Sequence, residues 1–444
     1  MEDTTIAVVG DGFGSLMVYS TAVYVGFRPN QIAIYGPAPS AVATYRGYAG
    51  NLGQTVLRSE SESHFLPADW PTFAQLDAWS RRKPALLLRS IRRRYNPGVT
   101  EILTEAVTVQ KRLGWDERRV ATKVGWIQRA TEPVPHFVLY DDEASPIGRA
   151  KHVALALGHG PLTFPRVLAE ARERPGLADR IVQAYEPKTY ARDGRYVVIG
   201  AGIASVNEWA NALEDGAKVI SLLRNPAPEE QDLNTPRCFF EAYGIDAYQE
   251  LSFEQRVAFL GRILKGTSPG RRGWIDIVRE GIEQDRFDQL VGEIDEIKAG
   301  PAGLAIHASS KHGPAPGWLD VTGVVCGTGF VRSAVAIPVI RRLVEDYAVP
   351  VEDGRLVLRS NCGVPRLDLP ESRLCAMGLL ANSVIPHGDT IAGLKYIARR
   401  FVSDCAEAER LRRRSVASRL RLQLSLTGQA ADAIRRTRES EQIS

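Results

Sequence analysis

The sequence predicts an α/β protein, because a strand, a glycine-rich turn, a helix and a second strand follow one another twice along the chain. The first copy begins with the apolar run Ile6 to Val9, which leads directly into Gly10-Asp11-Gly12-Phe13-Gly14-Ser15. An apolar segment from Leu16 to about Val25 indicates a helix, and Gln31 to Tyr35 indicates the next strand. Apart from Ser15 in place of the last glycine, this is the G-x-G-x-x-G pattern, which in this context, within about 30 residues, is typical of a turn that binds a dinucleotide.

The second copy has the same order of elements. Tyr196 to Ile199 forms the strand, Gly200-Ala201-Gly202-Ile203-Ala204-Ser205 forms the turn, and a helix follows to about Leu213. The next strand, Lys218 to Leu223, ends at Arg224. An acidic residue at this place favours NAD, whereas a basic residue can hold the 2′-phosphate of NADP. Arg224 therefore favours NADPH, although an arginine at a strand end is also an ordinary surface residue.

The glycines of each turn have separate tasks. The first, Gly10 or Gly200, permits the tight turn, and the second, Gly12 or Gly202, lets the backbone approach a pyrophosphate. The helix that follows supplies N–H donors and a favourable dipole for that anion. The first copy departs from the pattern after its second strand, where Ile34-Tyr35-Gly36 contains no acid to hold a ribose hydroxyl. The ribose contact must therefore come from another residue.

Composition and charge limit the function classes. The chain has 444 residues, 44% hydrophobic and 24% charged, an ordinary globular composition that leaves room for about two or three domains. The net charge of +4 is too small to indicate a nucleic-acid-binding protein. Nine arginines but only one acidic residue, Asp432, lie between Arg410 and Arg438, so the rest of the chain is net negative.

The arginine-rich segment also carries spaced apolar residues that indicate a helical C-terminal extension: Leu411, Val416, Leu420, Leu422, Leu424 and Leu426. We expect residues 410–444 to pack against the body of the protein or a second subunit, with the arginines outward or paired to an acidic surface. Docking to a membrane surface or to an acidic partner is the alternative.

Cysteine usage and hydropathy bear on the compartment. The five cysteines are scattered and include no C-x-x-C pair, which argues against a zinc site or a disulfide framework. The sequence contains no run of about 18 apolar residues, the length that an integral membrane segment needs. Since Met1-Glu2-Asp3 leads at once into a strand, we expect no signal peptide and a cytoplasmic protein.

Two later segments share the pattern of an apolar strand that runs into glycines. Val153 to Leu157 precedes Gly158-His159-Gly160-Pro161, which is similar to the "ATG-x-x-P" motif of nucleotide-binding flavoproteins. Gly323 to Val325 precedes Cys326-Gly327-Thr328-Gly329-Phe330, which is similar to an "ATGY" sequence. In both, glycines allow the backbone to pass close to a cofactor.

A last segment completes the pattern near the C-terminus. Leu374 to Leu380 indicates a strand, and His387-Gly388-Asp389-Thr390 precedes a helix that continues to about Val402. With the two glycine turns, these segments resemble the two-dinucleotide-binding-domain flavoprotein superfamily over residues 6–402. There the last helix supports the pyrimidine edge of the flavin.

Within that superfamily the chain most resembles the class B flavoprotein monooxygenases: flavin-containing, Baeyer–Villiger and N-hydroxylating enzymes. Leu57-Arg58-Ser59 with Leu66 to Phe73 is similar to the segment that flanks the flavin in the first two groups. Asn234-Thr235-Pro236 and the charged region from Leu251 to Ile297 are similar to the helical insert of the N-hydroxylases. Disulfide reductases of this fold need a cysteine pair that the sequence lacks. Ile181 to Tyr185 lacks the histidine of the Baeyer–Villiger and flavin-containing signature, and no close match to the substrate segment of the ornithine or lysine hydroxylases is visible. The subfamily and the substrate therefore stay open.

The resemblance implies an α/β fold with two Rossmann-like dinucleotide-binding domains, in which an FAD domain is interrupted by an NADPH domain. The FAD domain would comprise residues 1–190 and 323–409, and the NADPH domain residues 191–322. A helical insert would occupy about 228–297, and residues 410–444 would form the basic helical tail.

The resemblance also implies the activity. We expect an FAD- and NADPH-dependent oxidoreductase, a monooxygenase that inserts one oxygen of O₂ into a small-molecule substrate through a C4a-(hydro)peroxyflavin. An NAD(P)H-dependent flavin reductase or electron donor that serves a partner is the first alternative, and a non-catalytic nucleotide-binding relative is the second. The sequence contains no H-E-x-x-H motif, so it gives no sign of that kind of metal site, and no metal is expected.

The candidate site residues come from these motifs. Arg58, Asn234 and His387 are the candidates for catalytic roles, with an ordinary surface role for Arg58 and a structural role for His387 as the alternatives. Asp389 either contacts the cofactor or caps the following helix. The predicted cofactor-binding residues are Gly10, Gly12, Phe13, Gly14, Ser15, Gly200, Gly202, Ile203, Ala204, Ser205, Arg224, Gly327, Thr328, Gly329, Asp389 and Thr390.

Overall fold

The computed structural model of the chain describes residues 2–57, 64–83, 97–224, 229–230, 237–263, 267–268, 272–310 and 315–441. Its strands are β1 (Glu2–Val9), β2 (Ile32–Tyr35), β3 (Arg119–Val120), β4 (Trp126–Ala130), β5 (His136–Tyr140), β6 (Pro146–Leu155), β7 (Ile181–Gln183), β8 (Arg195–Ile199), β9 (Lys218–Leu223), β10 (Glu229–Glu230), β11 (Thr267–Ser268), β12 (Phe287–Val291), β13 (Glu293–Gly300), β14 (Gly303–Ser309), β15 (Gly317–Val321), β16 (Gly323–Cys326), β17 (Val351–Glu352), β18 (Arg355–Leu356) and β19 (Leu374–Ala376). Its helices are α1 (Phe13–Val25), α2 (Ala43–Asn51), α3 (Phe73–Ser80), α4 (Val99–Leu113), α5 (Arg166–Arg172), α6 (Ile203–Glu214), α7 (Ala242–Glu250), α8 (Phe253–Ile263), α9 (Arg272–Glu283), α10 (Pro338–Tyr347), α11 (Ile391–Ala408) and α12 (Val416–Glu441).

The first sheet has the strand order β3-β2-β1-β6-β5-β4, and β19 also pairs with β6. β1 lies between β2 and β6 in parallel, with Val8 opposite Ile34 on one side and Ala154 on the other. These three residues are fully buried, as expected for parallel strands covered on both faces. Because β19 pairs with β6 in parallel, the C-terminal part of the chain returns to the first sheet.

The second sheet contains five parallel strands in the order β12-β9-β8-β16-β7. α6 and α9 cover one face, where the ring of Trp209 meets that of Phe287 at 5.5 Å. The antiparallel meander β13-β14-β15 covers the other face through a shared cluster of buried aliphatic residues: Ile220, Leu222, Ile297, Leu304 and Ile306. The predicted fold class, with two Rossmann-like units, is confirmed.

Two of the predicted domain boundaries fall on the wrong side of a strand. β7 precedes residue 190 and β16 follows residue 322, yet both belong to the second sheet. Val324 of β16 lies opposite Ile181 of β7 and Val197 of β8. Because these backbones hydrogen bond only within the second sheet, the chain enters the second unit after β6 and leaves it after β16.

The two chain crossings between the units lie side by side. Leu162 and Phe330 form an antiparallel bridge. The Thr163 N–H donates to the Gly329 carbonyl at 2.9 Å, and the Val331 N–H donates to the Pro161 carbonyl at 2.8 Å. The two units are therefore joined by a short paired ribbon.

The predicted insert is only partly helical. α7, α8 and α9 lie within it, but α9 ends at Glu283, and β12 and β13 follow before Ile297. Helix through Ile297 was the wrong prediction for this stretch, because residues 287–291 complete the second sheet beside β9. The strand predicted over Leu374 to Leu380 is likewise shorter, since β19 ends at Ala376 and a 3-10 turn follows at Gly378–Ala381.

The arginine-rich tail is helical, as predicted, and α12 packs against α3 and α4 of the first unit. Its buried face differs from the spaced leucines, because Val416, Leu420 and Leu424 are exposed. The buried face uses a stripe of smaller and polar residues at helical spacing: Gln423, Leu426, Thr427, Ala430, Ala431 and Ile434. The spaced apolar residues therefore predicted the helix and part of its contact face, since Leu426 is buried and Leu422 is partly buried against the core.

Within the described parts of the chain, no helix combines the length and apolar character needed to cross a membrane. The five cysteines are all unpaired thiols, and four of them are buried.

Candidate cofactor and active site

The first glycine turn is built around Gly10. Its φ is +113°, and its N–H donates to the Tyr35 carbonyl at 2.8 Å, which fixes the turn to the end of β2. A Cβ at Gly10 would collide with the carbonyl group of Ala156, the residue that follows β6. Gly12 is the N-cap of α1, and the space where its Cβ would lie is empty to 4 Å. The turn therefore leaves an open approach to the N-terminus of α1.

Residues 13 to 15 fix the first turn of α1. The Ser15 hydroxyl donates back to the Gly12 carbonyl at 2.7 Å and accepts from Trp115 Nε1 at 3.3 Å. Gly14 sits where a Cβ would lie 3.0 Å from Ala156 Cβ and 3.6 Å from Leu394 of α11. The predicted residue Ser15 thus has a structural bond, and α1 and α11 approach each other closely at their N-terminal turns.

The second turn repeats this geometry. Gly200 has a φ of +110°, and its Cβ would lie 2.8 Å from the Gly327 carbonyl oxygen. Gly202 caps α6 and faces empty space. The Ser205 hydroxyl donates to the carbonyls of Ile199 and Gly327, at 3.3 and 3.5 Å. Ile203 and Ala204 form the first turn of α6, so all the predicted residues of the motif lie where the sequence indicated.

The segment after β16 forms hydrogen bonds both to the second glycine turn and to the paired ribbon that joins the two units. The Gly327 N–H donates to the Ile199 carbonyl at 2.8 Å. The Thr328 hydroxyl donates to the Thr163 carbonyl at 2.5 Å and accepts from Gln183 Nε2 at 3.1 Å. Gly329 takes a positive φ of +74° as the chain turns back toward the first unit. Thr328 therefore joins the two crossings.

Arg224 lies at the end of β9, next to the second turn, and is exposed. This is where the sequence analysis placed it. Since β8 and β9 pair in parallel, their carboxyl ends share one edge, so Arg224 and the Gly200 turn lie at the same edge of the sheet.

The N-terminus of α11 is capped by Thr390, whose hydroxyl accepts from the Gly393 N–H at 3.0 Å. The same hydroxyl donates to the His387 carbonyl at 2.8 Å. Asp389, predicted either to cap this helix or to contact the cofactor, is not the cap and is exposed at its entrance. Thr390 takes the cap because its extended backbone directs the hydroxyl toward the N3 amide.

His387 is 1% exposed and packs against the ring of Phe240, with ring centroids 4.3 Å apart. Burial lowers the pKa of His387 to about 4, so the imidazole is neutral at neutral pH. Among the described residues, nothing hydrogen bonds to its Nδ1, nor to either amide atom of Asn382, which is also buried. Buried polar atoms without partners are costly, and they mark this region as one that water or a ligand completes.

A buried charged cluster lies one turn further along α11. Lys395 Nζ is 3.2 Å from His64 Nδ1, and His64 Nδ1 is 3.8 Å from Glu105 Oε1. Burial and the Lys395 charge hold the pKa of His64 well below its usual value. Burial raises the pKa of Glu105 to about 7, against the opposing effect of Lys395 and two backbone N–H donors. The sequence analysis missed this cluster, because nothing in the helical pattern distinguishes a buried lysine from an exposed one.

An aromatic group lies at the junction of the two units. The ring of Phe330 stacks on His159 with centroids 4.5 Å apart, and lies 4.9 Å from Tyr185 and 5.7 Å from Tyr48. Tyr48 belongs to α2 of the first unit, Tyr185 follows β7 of the second unit, and His159 and Phe330 lie on the two crossings between them. Asn51 Nδ2 also donates across the junction to the Tyr185 carbonyl at 2.8 Å. The described side chains thus place aromatic surface where the two units meet.

Two of the predicted catalytic residues, Arg58 and Asn234, lie outside the described residues. The structure brings the remaining motifs into two groups. The Gly10 turn and the N-terminus of α11 form the first group, while the Gly200 turn, Arg224 and residues 327–329 form the second. Both turns fit a dinucleotide, because each has a helix N-terminus faced by open space at its second glycine.

Comparison with known proteins gives likeness of fold. No family model matches the chain, and no curated protein matches its sequence. An ornithine N-hydroxylase from Kutzneria sp. 744, solved with reduced FAD, NADP⁺ and L-ornithine, is similar with a TM-score of 0.71 and 14% identity, over 92% of this chain and 100% of that one. The ornithine hydroxylase PvdA from Pseudomonas aeruginosa gives 0.68 and 12%, with the same coverage.

A disulfide reductase is among the similar structures as well. The bacillithiol disulfide reductase Bdr from Bacillus cereus has a TM-score of 0.57 and 14% identity, over 91% of this chain and 99% of that one. All three similarities extend over nearly the whole length of both proteins, which supports one shared architecture. The chain therefore has the fold of the flavoproteins with two dinucleotide-binding domains.

Proposed function

We propose that the chain is an FAD- and NADPH-dependent monooxygenase that acts on a small molecule. The observation that carries this proposal is a pair of dinucleotide cradles on one chain, both open at the second glycine. Hydroxylases are among the similar structures at TM-scores of 0.68 and 0.71, compared with 0.57 for the disulfide reductase. The net reaction would consume substrate, O₂, NADPH and one proton, and would give the oxygenated substrate, water and NADP⁺.

The chain's own residues would bind and position the two nucleotides. Gly10 and Gly12 would admit the FAD pyrophosphate to the N-terminus of α1, and the N-terminus of α11 would face the flavin. Gly200 and Gly202 would admit NADPH, and Arg224 would hold its 2′-phosphate. When bound, the flavin would supply the redox chemistry.

The groups near α11 suit a site that excludes bulk water. His387 stays neutral at neutral pH and can donate or accept a hydrogen bond through its unpartnered nitrogen. Phe240 covers its ring, and Tyr248 donates from its hydroxyl to the Asn382 carbonyl at 3.0 Å. The aromatic group at the junction of the units adds further apolar surface. These residues would orient reactants and limit solvent access.

Disulfide reduction has no support in the thiols. Cys326, Cys362, Cys375 and Cys405 are buried, and burial raises the pKa of Cys326 and that of Cys362 to about 12. Such thiols carry almost no thiolate at neutral pH, whereas redox cysteines depend on a lowered pKa. Cys238 is partly exposed, but it has no second accessible cysteine among the described residues.

The visible spectrum of the purified full chain tests the proposal directly. We expect a yellow protein whose flavin absorbance bleaches on anaerobic addition of NADPH and returns with O₂. Incubation with L-ornithine and a panel of other small amines should couple NADPH oxidation to product for at least one compound, as measured by mass spectrometry with ¹⁸O₂. Full conversion of O₂ to hydrogen peroxide with every compound would favour a reductase. A colourless chain that cannot be loaded with FAD would exclude both activities.

Gly200→Ala is the matched control for this experiment. Its Cβ would disturb the second turn and leave the first cradle unaltered. The variant should remain yellow and lose reduction by NADPH, while dithionite still bleaches it. Retained NADPH reduction in this variant would place the reductant elsewhere.

A further inference from the structure

The end of β2 is the place where dinucleotide-binding units carry an acid for the ribose hydroxyls. Here β2 ends at Tyr35 and the next residue is Gly36, which has no side chain. The backbone does not demand this glycine, since Gly36 is not among the residues with positive φ. Another residue must therefore explain why position 36 has no side chain.

Asp11, the second residue of the glycine turn, fills the space beside it. A Cβ at Gly36 would overlap the Asp11 side chain, lying 2.5 Å from its Cγ and 2.6 Å from its Cβ, and even closer to its Oδ2. No side chain at position 36 can coexist with Asp11 in this position. The carboxylate of Asp11 thus occupies the volume in which an acid at residue 36 would lie.

The loop after β2 holds this carboxylate in place. The Ala38 N–H donates to Asp11 Oδ2 in a short hydrogen bond. Arg119 Nη1 lies 3.5 Å from the Gly36 carbonyl oxygen and adds a positive charge nearby. A carboxylate offers about four acceptor sites, and Ala38 takes one of them. Asp11 is half-buried, so part of the residue remains accessible to a ligand.

We propose that Asp11 is the ribose-binding acid of the first cradle, displaced from the end of β2 into the glycine turn. Its carboxylate accepts hydrogen bonds from the 2′- and 3′-hydroxyls of the adenosine of the nucleotide bound there. The inference rests on the proposed FAD site and names the residue that sets recognition of its ribose. It also explains why the motif has an aspartate between its first two glycines and a glycine after β2.

A ligand comparison tests the contact itself. The probes are ADP and 2′,3′-dideoxy-ADP, titrated by calorimetry into the full chain stripped of flavin. The wild-type chain should bind ADP about 10- to 100-fold more tightly than the dideoxy analogue, as hydrogen bonds to a charged group provide. In Asp11→Asn that preference should fall to about threefold or less. An unchanged preference in Asp11→Asn would show that Asp11 does not contact the ribose.

An exchange of positions tests the displacement. Asp11→Gly should weaken FAD binding about 10- to 100-fold, measured by quenching of flavin fluorescence. The double variant Asp11→Gly/Gly36→Glu has the acid at the end of β2, and it should regain most of the affinity. A folded double variant that binds FAD no better than Asp11→Gly would overturn the proposal. Circular dichroism establishes folding, and Asp142→Asn, on an exposed turn, is the matched control.

These outcomes separate the inference from the proposed function. If the wild-type chain binds FAD and the Asp11 variants bind it equally well, only the role of Asp11 fails. If the wild-type chain binds neither FAD nor ADP, the proposed function fails.

Discussion

The two glycine turns have nearly the same geometry in different surroundings. Both first glycines have a φ near the same positive value, +113° and +110°, and both would collide with the backbone of a neighbouring strand end if they carried a Cβ. α1, however, is buried from Gly14 to Val23, because α4, α11 and α12 pack around it. α6 packs mainly against α9 on the outer side of its sheet. The glycine motif determines the conformation of the turn, whereas the helices packed around it determine how much stability is lost when the turn is changed.

The ends of the second strands differ too. In the first unit Asp11 lies beside Gly36, is half-buried, and is held by the Ala38 N–H. In the second unit Arg224 is exposed at the end of β9. A half-buried, hydrogen-bonded acid suits a nucleotide that stays bound, and an exposed arginine suits a nucleotide that must exchange at each turnover.

Alanine at the first glycine of each turn gives the largest expected effect and tests the comparison directly. Gly10→Ala combines a strained positive φ with a clash against a backbone carbonyl in the larger core, and should lower the free energy of unfolding by on the order of 5 kcal/mol. Gly200→Ala should cost about 3 kcal/mol, because the nearest contact is longer and Ser205 can rotate away. Urea denaturation measures both.

The second glycines are the controls for this pair. Gly12→Ala and Gly202→Ala place a Cβ in open space at negative φ, so both should unfold like the wild type within about 1 kcal/mol. They should still weaken binding of the nucleotide at their own turn. An equal loss of unfolding free energy in Gly10→Ala and Gly12→Ala would mean that close packing around the turn is not the cause of the destabilisation.

The sequence was sufficient to predict the two glycine turns, but not the elements that pair with them and pack around them. Strand, turn and helix follow from local patterns, and Lys218–Leu223 was predicted to the residue. Pairing partners are not local, which is why β7 and β16 were assigned to the wrong unit and why residues 287–297 were predicted as helix. The sequence shows Asp11 within the glycine motif, but its contact with Gly36 depends on the tertiary fold and could not be predicted. The cluster of His64, Glu105 and Lys395 joins residues distant in sequence, so no spacing announces it.

The tail gives the next largest effect, and its helix α12 packs against α3 and α4 of the first unit. Arg438 of α12 bonds to Glu101 of α4 at 2.8 Å and to Ser80 at 2.6 Å, and it forms a short ion pair with Asp77, which is 1% exposed. Arg438→Met leaves Asp77 buried with part of its charge uncompensated, and should cost about 3 kcal/mol. Arg436→Met, on the exposed side of the same helix, should cost less than about 0.5 kcal/mol. A cost as small for Arg438→Met would show that α12 is docked by its apolar face alone.

His387 predicts a pH dependence confined to the first unit. Its pKa in the folded chain is about 4, below the ordinary value of 6.5, so the unfolded chain binds more protons between these values. Stability should therefore fall as the pH drops from 6.5 toward 4, by on the order of 2 kcal/mol. The raised pKa of Glu105 acts in the opposite sense between pH 4.5 and 7.

The difference between wild type and His387→Gln isolates this contribution from that of Glu105. The variant should lose stability less steeply below pH 6.5, as measured by urea denaturation at a series of pH values. Parallel profiles for the wild type and His387→Gln would mean that water reaches His387 and keeps its pKa ordinary.

Arg224 gives the smallest expected effect and tests the open side of the comparison. If its guanidinium binds the 2′-phosphate, Arg224→Ala should raise the KM for NADPH about tenfold, equivalent to about 1.4 kcal/mol, and leave that for NADH unchanged. FAD content and unfolding should stay at wild-type values, because Arg224 is exposed and lies in the second unit. Arg279→Ala, on the exposed face of α9, is the control. An equal rise in KM for both nucleotides would assign Arg224 to general attraction of the pyrophosphate, and the selectivity for NADPH would then have to arise in another part of the second cradle.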